Sequence, residues 1–146
     1  MMLIMDSCAF LLVQISQAQR QFVAETLDGL GLHPGQELIL LLLAEEDGQT
    51  QMQLAQRRGV EPPTITKMMQ RMAEQGMITR QSDDEDGRVM RVYLSEAGRA
   101  LIPAIQALWH AVEERLLQRI SEPERLLLRR LLQQMHTNQE GMSDAP

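Results

Sequence analysis

One cysteine in 146 residues, Cys8, excludes an intrachain disulfide and fits a reducing compartment. Aromatic side chains are scarce, so beyond Tyr93 only Phe10, Phe22 and Trp109 can stack on a planar ligand. No long hydrophobic run occurs. The longest, Leu38 to Ala44, falls far short of the ~18 residues that suggest a membrane span. No basic segment followed by a cleavable apolar stretch precedes it either, and the expectation is a soluble, cytoplasmic chain without a membrane partner. His33, His110 and His136 lack metal-ligand spacing, and no glycine-rich phosphate loop occurs. No Ser/His/Asp or Cys/His constellation stands out, which leaves an enzyme as the least expected class, with no cofactor and no metal. Without internal repeats or low-complexity linkers, this length bounds one domain, or one compact domain with a helical extension.

The net charge of −6 argues against a general nucleic-acid coat. Its distribution is more telling than its sum. Residues 1–56 hold one arginine against seven acids, and residues 92–146 hold six against seven. Residues 57–91 hold six arginines and one lysine against six acids, four of them crowded into Asp83 to Asp86. Apart from that acidic tip the middle is basic, a local footprint for phosphate on an acidic frame.

The basic stretch is also the most patterned. Met52 to Arg58 reads as a short amphipathic helix closed by Gly59, a residue free to take a left-handed helix end. After Glu61, the pair Pro62-Pro63 begins a second helical run that reaches Gln75 and is closed by Gly76. Proline is tolerated there because first-turn N–H groups have no intrahelical partner. Ile65, Met68, Met69 and Met72 share one face of this run, with Thr64, Thr66, Lys67, Gln70 and Arg71 on the other. Two short helices with an apolar inner face and a polar, basic outer one form the pattern of a helix-turn-helix.

Beyond Gly76 the period changes from about 3.6 to about 2. Met77 to Gln81 and Val89 to Leu94 read as strands, with Asp86-Gly87 as a hairpin signal between them. A helix-turn-helix followed by a hairpin is a winged helix-turn-helix. The order L-A-x-R-x-G-V, a Pro/Thr-rich helix start, M-x-x-Q-G-M-I-x-R, then D-x-D-G-R-x-x-x-V-x-L-S-x-x-G resembles the MarR family of transcriptional regulators. The resemblance is dense from Thr50 to Gly98 and extends in layout over nearly the whole chain.

The rest of the chain reads as helix. Asp6-Ser7 can cap a long helix reaching about Leu30, broken by Gly31 and His33-Pro34-Gly35. Gln36 to Glu46 is apolar all round, and is read as a helix that must be enclosed on all sides. Another helix runs from Ser95 through Ile120, bent but not stopped by Pro103. Ser121-Glu122-Pro123-Glu124 starts a last helix, and from Thr137 the polar chain is expected to fray. The first helix and the last two carry apolar stripes without enough partners in one chain. A two-fold homodimer would bury them and supply two recognition helices for a pseudo-palindromic operator in double-stranded DNA. The expected class is mainly α with a small β component (α+β). Residues 1–34 and 99–146 form the dimerisation region and residues 35–98 the winged domain.

Candidate DNA contacts are Pro63, Thr64, Thr66, Lys67, Gln70 and Arg71 on the second helix. Arg57 and Arg58 can hold backbone phosphates or serve as surface charges. The resemblance makes Arg88 the wing arginine, suited to a narrow minor groove, and Asp86 the acid that braces it. It also implies a repressor released by a small aromatic or phenolic effector. Such a ligand would lie between dimer helices and winged domain, near Gln14 and His33, although His33 also suits a polar loop before Pro34. Cys8 resembles the peroxide-sensing cysteine of one branch, offset by one residue and with no tyrosine nearby. The simpler reading of Cys8 is a small buried hydrophobe. Two alternatives stand beside the regulator: a protein-interaction winged helix without DNA binding, and a redox sensor acting through Cys8.

Overall fold

The computed structural model describes residues 4–143; residues 1–3 and 144–146, at the ends of the expected dimerisation region, lie outside that range. The elements run α1 (Cys8–Gly29), α2 (Gln36–Glu45), β1 (Gln49–Thr50), α3 (Gln51–Arg58), α4 (Pro62–Glu74), β2 (Ile78–Ser82), β3 (Met90–Leu94), α5 (Glu96–Leu116) and α6 (Glu122–Ser143). The expected α+β class is correct. The sheet is antiparallel in the order β1-β3-β2, so the wing hairpin carries a third strand that sequence did not reveal. A strand of two residues is too short to show a period, and only pairing with Val92 and Arg91 defines it.

Local chemistry sets the helix boundaries. Ser7 caps α1 by accepting from the Phe10 N–H. Thr50 and Gln53 form a reciprocal capping box on α3, an eight-residue helix too short to persist without caps and packing. Gly59 and Gly76 adopt φ of 65° and 75° after α3 and α4, the left-handed conformation expected of them. Pro62 and Pro63 occupy the first turn of α4. Pro103 lies inside an unbroken α5.

Two expectations are corrected. The chain remains helical past Thr137 to Ser143, where the Gln134 amide donates to Asn138 Oδ1 and the Thr137 hydroxyl to the Gln133 carbonyl along the helix. The apolar α2 is enclosed only on one side within this chain: Ile39, Leu40 and Leu43 are buried, Leu38, Leu41 and Leu42 half-buried, and Ala44 exposed.

The chain divides into two compact units, one reaching His110 and the other beginning at Ala111. In the first, Leu54 of α3, Ile65, Met69 and Met72 of α4 and Val92 of β3 are all buried. Each such side chain contributes roughly 2 kcal/mol through removal from water. That burial fixes α4 by its inner face and leaves its outer face free. In the second unit, Arg119 takes a left-handed φ of 65°, and Arg125 donates to the carbonyls of Leu117 and Ile120. Leu126, Leu127, Leu131 and Leu132 of α6 remain exposed.

Candidate nucleic-acid interface

The outer face of α4 presents Pro63, Thr64, Thr66, Lys67, Gln70 and Arg71, all exposed. Two of them are already oriented by bonds within the helix. The Thr66 hydroxyl donates to the Pro62 carbonyl at 2.9 Å, so its proton is committed to the helix and its oxygen can serve an outside group only as an acceptor. The Gln70 amide nitrogen donates to Glu74 Oε1 at 3.2 Å, which leaves its carbonyl oxygen available. Glu74 was not singled out from sequence, and an i,i+4 Gln–Glu pair is the one signal that could have revealed it. Lys67, Arg71 and Arg88 form no ion pair among the described residues.

The two arginines of α3 are engaged inside the chain. Arg57 pairs with Glu45 at 2.6 Å and donates to Gln49 Oε1 at 3.1 Å. Gln49 is itself buried, and its amide nitrogen donates to the Leu42 and Glu46 carbonyls that end α2. Arg58 turns toward the start of α2. A β-carbon on Gly35 would lie 3.3 Å from Arg58 Nη2, and the buried Arg58 Nε has no hydrogen-bond partner. Beside it, Glu37 is buried and accepts from the Gly35 N–H at 2.7 Å. Burial raises the Glu37 carboxyl above the ordinary glutamate value, against the lowering effect of its backbone bonds and of Arg58. Gln36, also buried, donates to Gln75 at the end of α4. The segment 35–37 therefore touches both helices of the helix-turn-helix, a role no local pattern announced.

At the wing, Arg88 is exposed on the turn between β2 and β3. Asp86 does not ion-pair with its guanidinium; Asp86 Oδ1 accepts from the Arg88 main-chain N–H at 3.0 Å. The ion pair of the wing joins Asp83 to Arg91 instead. The Arg91 hydrogen bond, reinforced by the main-chain N–H groups of Asp86 and Glu85, holds the Asp83 carboxyl below the usual carboxylate range.

The remaining candidates do not converge. Cys8 is exposed at the first turn of α1 rather than buried. Gln14 and His33 are both exposed, and no hydrogen bond joins them among the described residues. Among those residues no group of three or more His, Cys, Asp or Glu could hold a metal ion. Nor is any helix among them long and apolar enough to cross a membrane.

Helix pair, wing and exposed basic face together define a winged helix-turn-helix. Comparison with known proteins narrows the class. Residues 30–89 match the MarR family profile. The crystal structure of MarR superposes with a TM-score of 0.80 at 28% identity, covering 98% of this chain and 97% of that one. A probable transcriptional regulator from Pseudomonas aeruginosa is 33% identical over 89% of this chain and 97% of its own, with a TM-score of 0.80. The HTH-type transcriptional repressor Rv2887 of Mycobacterium tuberculosis is 25% identical over 126 residues, 86% of this chain and 91% of that protein. The chain belongs to the MarR family of transcriptional regulators. It is a regulator of this kind, not an enzyme.

Proposed function

We propose that this regulator binds a pseudo-palindromic operator as a homodimer and acts as a repressor. The carrying observation is the division of α4 into a buried face of Ile65, Met69 and Met72 and an exposed face of hydroxyl, amide and cationic side chains. The buried side fixes the helix to its frame, and the exposed side is free to enter a major groove. Thr66 and Gln70 carry no charge and can meet base edges; Lys67 and Arg71 can reach guanine or phosphate. Arg88 is the exposed cation of the wing turn. Arg57 and Arg58, bonded to Glu45 and packed against Gly35, are assigned to the frame that holds the helix pair.

The exposed leucines of α6 and the exposed Leu11, Val13 and Ile15 of α1 support assembly with a second copy. The relative named a repressor supports repression here. Release by a small aromatic or phenolic effector, near Gln14 and His33, rests on the family resemblance. A ligand would act only through its different affinities for DNA-competent and incompetent states.

The test has two stages. Genomic fragments retained at moderate salt give the operator, which is then titrated beside a scrambled duplex at several salt concentrations. Arg88→Ala should weaken both duplexes alike and flatten the salt dependence by about 0.9 in log–log slope for each phosphate it no longer neutralises. Thr66→Ala and Gln70→Ala should each cost about 1–3 kcal/mol on the operator alone, at unchanged slope. If no fragment is enriched, the reading gives way to a protein-interaction module.

A further inference from the structure

Arg91 sits on β3 opposite Thr50 of β1 and Gln81 of β2. Its guanidinium joins two parts of the chain far apart in sequence. Nη1 donates to the Gly48 carbonyl at 2.8 Å, and Nε donates to Asp83 Oδ1. Gly48 is a firm anchor. Its N–H donates to the Val92 carbonyl at 3.0 Å, and its φ of 76° packs it against the Tyr93 ring.

From Asp83 the bonding continues into the turn. Oδ2 accepts from the main-chain N–H groups of Glu85 and Asp86, each at 3.2 Å, and the Asp83 N–H donates to the Val89 carbonyl at 2.8 Å. Asp86 then holds the Arg88 N–H. A continuous series of bonds thus runs from Gly48, just before β1, through Arg91 and Asp83 to the backbone of Arg88. The turn is otherwise exposed from Asp84 to Arg88, and besides these bonds the Val89 N–H donates to the Asp86 carbonyl at 3.0 Å.

Resting on the proposed DNA binding, we infer that Asp83 and Arg91 are positioning residues that set the wing turn so that Arg88 meets DNA, while neither touches it. A turn ordered in advance does not lose its conformational freedom on binding, so the contact is stronger than from a loose loop. The arrangement also explains why a carboxylate is kept on a surface facing phosphates: its charge is neutralised by Arg91 and its oxygens are used by the turn.

Asp83→Asn separates this role from simple electrostatics because the two predict opposite signs. Removing an acid that merely repels DNA would tighten binding. Loss of the brace weakens it, by about tenfold on operator and scrambled duplex alike, the scale of one well-placed interaction. In the Arg88→Ala background the same substitution should cause no further loss, since the side chain being positioned is gone. Arg91→Lys preserves charge but cannot span Asp83 and Gly48 with one planar fork. It should match Asp83→Asn, whereas a direct phosphate contact by Arg91 would survive it. Amide exchange at Glu85, Asp86 and Arg88, measured without DNA, should accelerate in both variants and reads the brace by itself. Unchanged or tighter DNA binding by Asp83→Asn, or an equal loss in the Arg88→Ala background, overturns the inference but not DNA binding. Failure of the wild-type protein to retain any genomic fragment overturns both.

Discussion

The first turn of α5 lies against the start of the wing so closely that a β-carbon on Gly98 would overlap the carbonyl oxygen of Met77. Met77 O is already in use, accepting from the Ser95 N–H at 3.1 Å, and Ser95 Oγ both donates to the Gly76 carbonyl and accepts from the Gly98 N–H. The obstacle is backbone, which cannot rotate aside as a flexible side chain would.

Gly98→Ala should therefore destabilise the fold by about 3 kcal/mol or more, at the upper end of overpacking effects. For a chain of this length that lowers the melting temperature by roughly 6–12 °C. Gly29→Ala is the matching control, because open space surrounds that glycine at the exposed end of α1. It should gain about 0.5–1 kcal/mol from helix propensity. Thermal melts of both variants decide the matter; equal and small shifts would show that α5 can move away from β2.

Glu37 predicts a pH dependence of stability. Its carboxyl is raised in the folded chain by burial, so ionisation is harder there than in the unfolded chain. Its contribution is fully present below the ordinary value of 4.5 and is lost as pH rises through the raised folded value. Glu37→Gln retains an acceptor for the Gly35 N–H but cannot ionise. The variant should melt above wild type at pH 7, with the gap closing below the ordinary glutamate value. A wild type more stable at pH 7 would mean that attraction to Arg58 outweighs burial.

Assembly can be broken at α6. Leu127 and Leu131, 51% and 42% exposed, lie one helical turn apart on the apolar side. The wild-type protein should sediment at about twice its 16.6 kDa chain mass at micromolar concentration. Leu127→Asp with Leu131→Asp should give folded or partly folded monomers with operator affinity reduced at least about a hundredfold, because the half-sites no longer bind jointly. A wild-type monomer under these conditions would remove the dimer from the proposed mechanism.

Cys8 is exposed, yet no aromatic hydroxyl or cation is bonded to it among the described residues. Cys8→Ser should leave DNA affinity within about twofold, as for most surface substitutions. It should also leave the response to peroxide unaltered. Release of the wild-type protein from DNA by peroxide, with the variant retained, would establish a thiol switch.

The order of helices and hairpin was legible in the sequence because each signal is local. Two prolines at a helix start, glycines at both helix ends, one apolar face and an Asp-Gly turn act within a few residues of themselves. The exposed face of α4 followed from the same periodicity, as the complement of Ile65, Met69 and Met72. Tertiary structure decided what each arginine does. Arg57, Arg58, Arg88 and Arg91 are chemically identical, and all four lie in the basic stretch. One finds Glu45, one packs against Gly35, one remains exposed, and one binds Asp83 and a carbonyl 43 residues away. The two-residue β1, the buried Glu37 and the crowding at Gly98 belong to the same class. Their partners lie elsewhere along the chain, and a hydrogen bond or a clash is settled over a few ångströms of space that composition and periodicity do not measure.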